Sequence, residues 1–131
     1  MREIIFRGKR EDNGEWVCGD LIHWWGRHNT KPDIQIYNNI QRFNVIPESV
    51  SEFTGLTDKN GVRIFEHDIL KFDYVGENLG VSGIEAVVFE NGKFGVLWGW
   101  HKDFTCLDGF ANTTIEVIGN IHDNPELLGE E

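Results

Sequence analysis

Glu66, His67 and Asp68 are adjacent, and an imidazole between two carboxylates is raw material for a metal site or an acid–base pair. Metal ligation needs at least one more ligand, and His101 and His122 are the candidates elsewhere in the chain. No His-Glu-x-x-His or related spacing occurs. The triplet stands at a strand entrance, where successive side chains point to opposite faces. A polar surface turn accounts for all three residue types and is the expected reading. Other chemistry is also missing its context. Ser49, Ser51 and Ser82 lack a nucleophile elbow, and Cys18 and Cys106 have no His at a diagnostic spacing. Gly76, Gly80 and Gly83 lack both the pattern of a phosphate loop and a following helix. The sequence therefore gives no catalytic residue, no metal ligand set and no cofactor site.

His23, Trp24, Trp25, Arg27, His28 and Lys31 form a basic, aromatic-rich cluster. Rings beside cations can stack on bases or sugars. A Trp-Trp pair also plugs the end of a barrel or makes a subunit contact. Trp98 and Trp100 share one strand face with Phe94 and Val96, which fits core or an oligomer interface. The candidate binding residues are Trp24, Trp25, Arg27, His28, Lys31, Trp98 and Trp100.

These residues must be positioned by short strands. Fifteen glycines punctuate runs of Val, Ile, Phe, Trp and Thr, the look of an antiparallel β protein. Asn13-Gly14, Asn60-Gly61 and Asn91-Gly92 each lie between apolar-alternating segments and predict type I′ hairpin turns. The first hairpin pairs residues 4–7 with 16–22. Residues 23–33 read as a long loop, followed by strands at 34–37 and 42–46. Pro47 opens a helical turn or a bend. A second hairpin pairs 50–56 with 62–65, and an extended run follows over 69–74. Residues 76–83 read as a loop, 84–90 and 93–100 as a third hairpin, and 113–121 as a last strand. Asn124 as N-cap before Pro125 predicts one short terminal turn.

A chain of 131 residues is one domain, with possible lobes at 1–49 and 50–131. Its two cysteines follow no zinc spacing, and two reduced thiols are expected. The apolar run at the N-terminus is short and interrupted by charge, so no signal peptide is expected. No stretch reaches membrane-spanning length, so a soluble, cytoplasmic protein is expected. With 22 acidic against 12 basic residues the net charge is −10, which counts against phosphate-backbone binding. Glu126, Glu130 and Glu131 place part of that acid in the tail.

Three separated segments also resemble one family. They are Arg2 to Arg7 with Gly19-Asp20-Leu21-Ile22; Val45 to Val50 leading through Phe53-Thr54-Gly55-Leu56-Thr57-Asp58-Lys59-Asn60-Gly61 to Ile64-Phe65-Glu66-His67-Asp68-Ile69; and Ile118-Gly119-Asn120-Ile121 with Asn124-Pro125-Glu126-Leu127. In this order they are similar to the YopX family of phage and prophage proteins. The family usually shows Glu-Gly-Asp where this chain has Glu66-His67-Asp68. The resemblance implies a phage or prophage origin and a mostly β fold with a small barrel-like part. It carries no catalytic residue. The expected architecture is mainly β: antiparallel hairpins forming a small SH3-like barrel, an N-terminal β lobe and a short C-terminal helical turn. The expected function is a non-enzymatic module in a bacterial host cell, binding a host or phage protein and forming a homo-oligomer. The alternatives are a small nucleic-acid-binding barrel using the loop at 24–31, and an enzyme with a site near His67 and Asp68.

Overall fold

The computed structural model describes residues 2–26, 30–75, 80–99, 101–110 and 114–128. The chain divides into two compact units, Met1–Phe53 and Thr54–Glu131. The mainly β, antiparallel reading holds throughout. No helix among the described residues is long and apolar enough to cross a membrane.

In the first unit, β1 (Phe6–Lys9), β2 (Trp16–Trp24), β3 (Asp33–Tyr37) and β4 (Arg42–Asn44) pair in the order β4-β3-β2-β1. After a 3-10 turn at Pro47–Ser49 comes β5 (Ser51–Thr57), whose first residues pair with β1 through Arg7↔Ser51 and Phe6↔Glu52. The Ser49 hydroxyl secures the turn, accepting the Lys9 N–H at 2.8 Å and donating to the Ile46 carbonyl at 2.6 Å. The sheet curls on itself where Arg10 bridges Val45, with Ile46 N–H donating to Lys9 O at 2.8 Å and Glu11 N–H to Asn44 O at 2.9 Å. Ile36 and Val45 are buried in that curl, 0% and 1% exposed. The sequence-expected loop at 23–33 is shorter than predicted. His23 and Trp24 continue β2, paired with Ile34 and Asp33, because backbone pairing with β3 supplies an order that the side-chain pattern lacks.

The second unit takes the rest of β5, which is neighboured by β6 (Arg63–Phe65). Then follow β7 (Asp68–Val75), β8 (Gly80–Ala86), β9 (Val88–Glu90), β10 (Lys93–Trp98), β11 (Asp103–Cys106) and β12 (Ile115–Asn120). They form two three-stranded sheets, β12-β7-β8 and β11-β10-β9. Ile64, Leu70, Phe72, Val87, Val96, Leu107, Phe110 and Ile115 make one core, with Phe94, Trp98 and Val117 packed against it. The expected barrel is not closed: among the described residues β11 and β12 are edges that do not pair with each other. At Val87 the chain passes from one sheet to the other. Its N–H donates to Asp68 O at 2.8 Å and its carbonyl accepts the His67 N–H at 2.9 Å.

One local expectation is corrected here, and another is borne out with a different use of its cap residue. The loop read at 76–83 is in part strand, since β8 starts at Gly80 and pairs with β7. Gly83 lies opposite Phe72, and a Cβ there would come within 2.7 Å of the Phe72 ring. That glycine serves close packing and not a turn. At the C-terminus Pro125–Leu127 is a 3-10 turn, but the Asn124 side chain does not cap it. Its Oδ1 instead accepts the Asn120 N–H at 3.2 Å.

Candidate functional site

The pairing register of the first unit lines up cross-strand rows. Asp20–Tyr37–Arg42 is one row and Ile22–Gln35–Asn44 the next, with Trp24–Asp33 beyond. Residues two apart on a strand share a face, so these rows lie on one side of the sheet. The Arg42 guanidinium reaches over the middle row to stand 5.7 Å from the Trp24 ring centroid. At the start of β2, the Trp16 ring has Arg7 and Lys9 of β1 at 4.9 and 5.7 Å. A cation held over an indole face is an attractive pairing and keeps a long side chain in one place.

Beside this face lies a cavity of about 570 Å³, lined by Arg10, Asp12, Gln35, Gln41, Arg42 and Asn44 among others. Arg10 is fixed twice. Its guanidinium stacks 4.2 Å from the Phe43 ring and bonds both Asp12 oxygens, at 2.9 and 2.7 Å. The hydrogen bonds from Arg10 hold the exposed Asp12 carboxyl below its ordinary value. Gln35, 7% exposed, donates through Nε2 to Asn44 Oδ1 at 2.7 Å, while its Oε1 has no protein partner. A buried acceptor without a donor costs free energy, about 1–3 kcal/mol, that a ligand N–H can return.

Large side chains of the first unit are also exposed. Ile40 is 82% exposed at the tip of the β3–β4 turn. Asn38 locks that turn, its Oδ1 accepting the N–H groups of Ile40 and Gln41 at 3.0 Å each. Tyr37 is 37% exposed and Trp25, just past β2, 56%.

The residues singled out in the sequence are distributed unequally. Trp24 and Trp25 stand at the end of β2, and Lys31 is exposed before β3. Arg27 and His28 lie outside the described residues, as does Trp100. Trp98 belongs to the second unit, edge-on to Phe72 at 5.6 Å between centroids, with its Nε1 donating to Thr105 Oγ1 at 2.7 Å. It serves the core of that unit. Arg42, Arg10, Gln35 and the Arg7–Trp16 pair did not stand out from the sequence. Only the pairing of strands brings Arg42 to Trp24 and Arg7 to Trp16, so the signal to look for was Arg and Trp at alternating positions on candidate strands.

The second constellation from the sequence is at the β6–β7 turn. His67 takes a left-handed backbone, φ 74°, where a non-glycine residue is strained. Its ring stands edge-on to His122, 5.3 Å between centroids, so of the two distant histidines the fold brings His122 and not His101. Asp68 is 1% exposed and accepts the Phe65 N–H at 2.8 Å. It braces the turn. Neither the cavity above nor a second one of about 540 Å³, lined by Leu56, Phe94, Cys106 and Leu107 among others, includes Glu66, His67 or Asp68.

The family model for YopX protein matches residues 5–129. The chain belongs to the YopX family. A structural neighbour is protein EF1440 from Enterococcus faecalis, known from a crystal structure and 25% identical, with a TM-score of 0.56. That likeness covers 98% of this chain and 100% of the other. No curated protein matches the chain. The YopX match and the neighbour each span nearly the whole chain, and neither name states an activity.

Proposed function

We propose that this YopX-family chain is a non-enzymatic interaction module of phage or prophage origin, acting in the host cytoplasm. It binds a host or phage protein through the β2–β4 face of its first unit. The carrying observation is the set Trp25, Tyr37, Ile40 and Arg42, large exposed side chains just past β2, on the paired strands β3 and β4, and on their locked turn. Trp, Tyr and Arg are the types that dominate protein–protein binding energy, and prior ordering lowers the entropy lost on docking. The net charge of −10 favours a protein partner over a polyanion. The test is capture of partners from phage-infected cells by the wild-type chain and by Ile40→Asp and Arg42→Glu variants. A partner retained by wild type and lost with both folded variants supports the reading. A partner held equally by all three overturns it.

The cation–aromatic pairs Arg7–Trp16 and Arg42–Trp24 favour a second reading, single-stranded nucleic acid stacked on that face. Binding that falls steeply with salt supports it, and no binding at low salt rejects it. Exposed Trp25 and Ile40 would also serve self-association, and a monomer mass by light scattering at high concentration excludes that use.

A further inference from the structure

We propose that His67 and His122 form a two-imidazole site for a borderline divalent cation, with Zn(II) as the representative ion. His67 Nδ1 and His122 Nε2 face each other at 3.4 Å. That is long for a hydrogen bond between two ring nitrogens. It matches the bite of two nitrogens on one tetrahedral ion, about 3.3 Å for bonds of about 2.05 Å. The opposite nitrogen of His67, Nε2, stands 3.6 Å from Glu66 Oε2. A proton on Nε2, toward that carboxylate, leaves the Nδ1 lone pair directed at His122. A carboxylate behind a ligating imidazole is the common outer partner of a protein-bound metal, fixing tautomer and ring orientation.

The pair is also preorganised. The His67 N–H donates to Val87 O at 2.9 Å and its carbonyl accepts the Ile121 N–H at 3.0 Å. The His122 N–H donates to Asn120 Oδ1 at 2.9 Å. Both backbones are thereby tied before any ion arrives. The His67 side chain is 27% exposed, enough for a hydrated ion to enter. Among the described residues no group of three or more His, Cys, Asp or Glu is placed to hold a metal ion. The site therefore supplies two ligands and leaves the other positions to water or to a partner's side chain. The strained backbone at His67 fits this use, since strain persists where the surroundings over-determine it and function needs it. The site lies in the second unit and shares no residue with the face proposed for protein binding.

The test is calorimetric titration of the untagged full chain with Zn(II), joined to long-range ¹H–¹⁵N spectra of the histidine rings. Wild type should bind one equivalent, with shifts at His67 Nδ1 and His122 Nε2. His122→Ala and His67→Gly should each weaken binding at least tenfold. The glycine variant suits the left-handed backbone, so its fold is kept. Glu66→Gln should weaken binding about 10–100-fold, and His101→Ala should leave it unchanged. Absence of binding, binding indifferent to His122→Ala, or ring shifts confined to other histidines overturns the site.

Discussion

Asp58 Oδ2 accepts the Val117 N–H at 2.9 Å, across 59 residues of sequence. The same carboxylate takes the N–H groups of Asn60 and Val62 on Oδ1, at 2.8 and 2.9 Å. One 2%-exposed side chain thus closes the β5–β6 turn and ties it to β12.

Removing that carboxylate orphans three backbone donors. Asp58→Ala should cost about 2–4 kcal/mol, the net of several such losses partly relieved by water. Denaturant unfolding of the variant checks it. Burial opposes the charged form, yet the bonds from Val117, Val62 and Asn60, with the charge of Lys59, hold the carboxyl below its ordinary 3.8. A depressed carboxyl stabilises the fold above its unfolded value and loses that contribution as pH falls through the folded one. Wild type should therefore lose stability below about pH 4 more steeply than Asp58→Asn does.

Gly19→Ala should cost about 3 kcal/mol, the upper end for overpacking. The added Cβ would come within 2.0 Å of the Tyr37 carbonyl oxygen, so β2 and β3 must separate. Gly14→Ala meets open space at φ 74° and should cost only about 1–2 kcal/mol for the left-handed backbone. The two melting temperatures, compared, check both.

Trp98→Phe keeps an aromatic ring near Phe72 but leaves Thr105 Oγ1 without its indole donor. A loss of about 1–2 kcal/mol is expected, a hydrogen bond plus partial underpacking. Chemical denaturation measures it.

Cys18 is exposed and Cys106 half-buried. A thiol reagent should label Cys18 rapidly in the native chain and Cys106 slowly, with both reacting at once in denaturant. Labelling rates by mass spectrometry decide it.

Hairpin positions were legible wherever turn chemistry is local. Asn91-Gly92 carries positive φ at both residues, 53° and 79°, and joins β9 to β10 as the expected type I′ turn. At Asn13-Gly14 and Asn60-Gly61 only the glycine is left-handed. There longer loops close through Arg10 N–H to Glu15 O and Asp58 N–H to Val62 O, each 2.8 Å. Loop length, set by neighbouring strands, overrode the dipeptide preference. The alternation of Phe94, Val96 and Trp98 was legible for the same local reason, and all three join or flank the core. Gly83 was not, because its need for space comes from Phe72 on another strand. The candidate face was half visible: Trp24 is conspicuous in sequence, whereas Arg42 reaches it only through two strand registers. His67 and His122 are 55 residues apart, and the pairing of β12 with β7, extended by the bond from Ile121 to the His67 carbonyl, brings them together.

Val87 bears on how the second unit opens. Its two backbone bonds hold the switch between sheets to both His67 and Asp68. Both bonds run to the start of β7, so the Val87 amide should exchange only when that corner opens. Slow-exchanging hydrogens would then mark this single buried valine and not only the long strands around it.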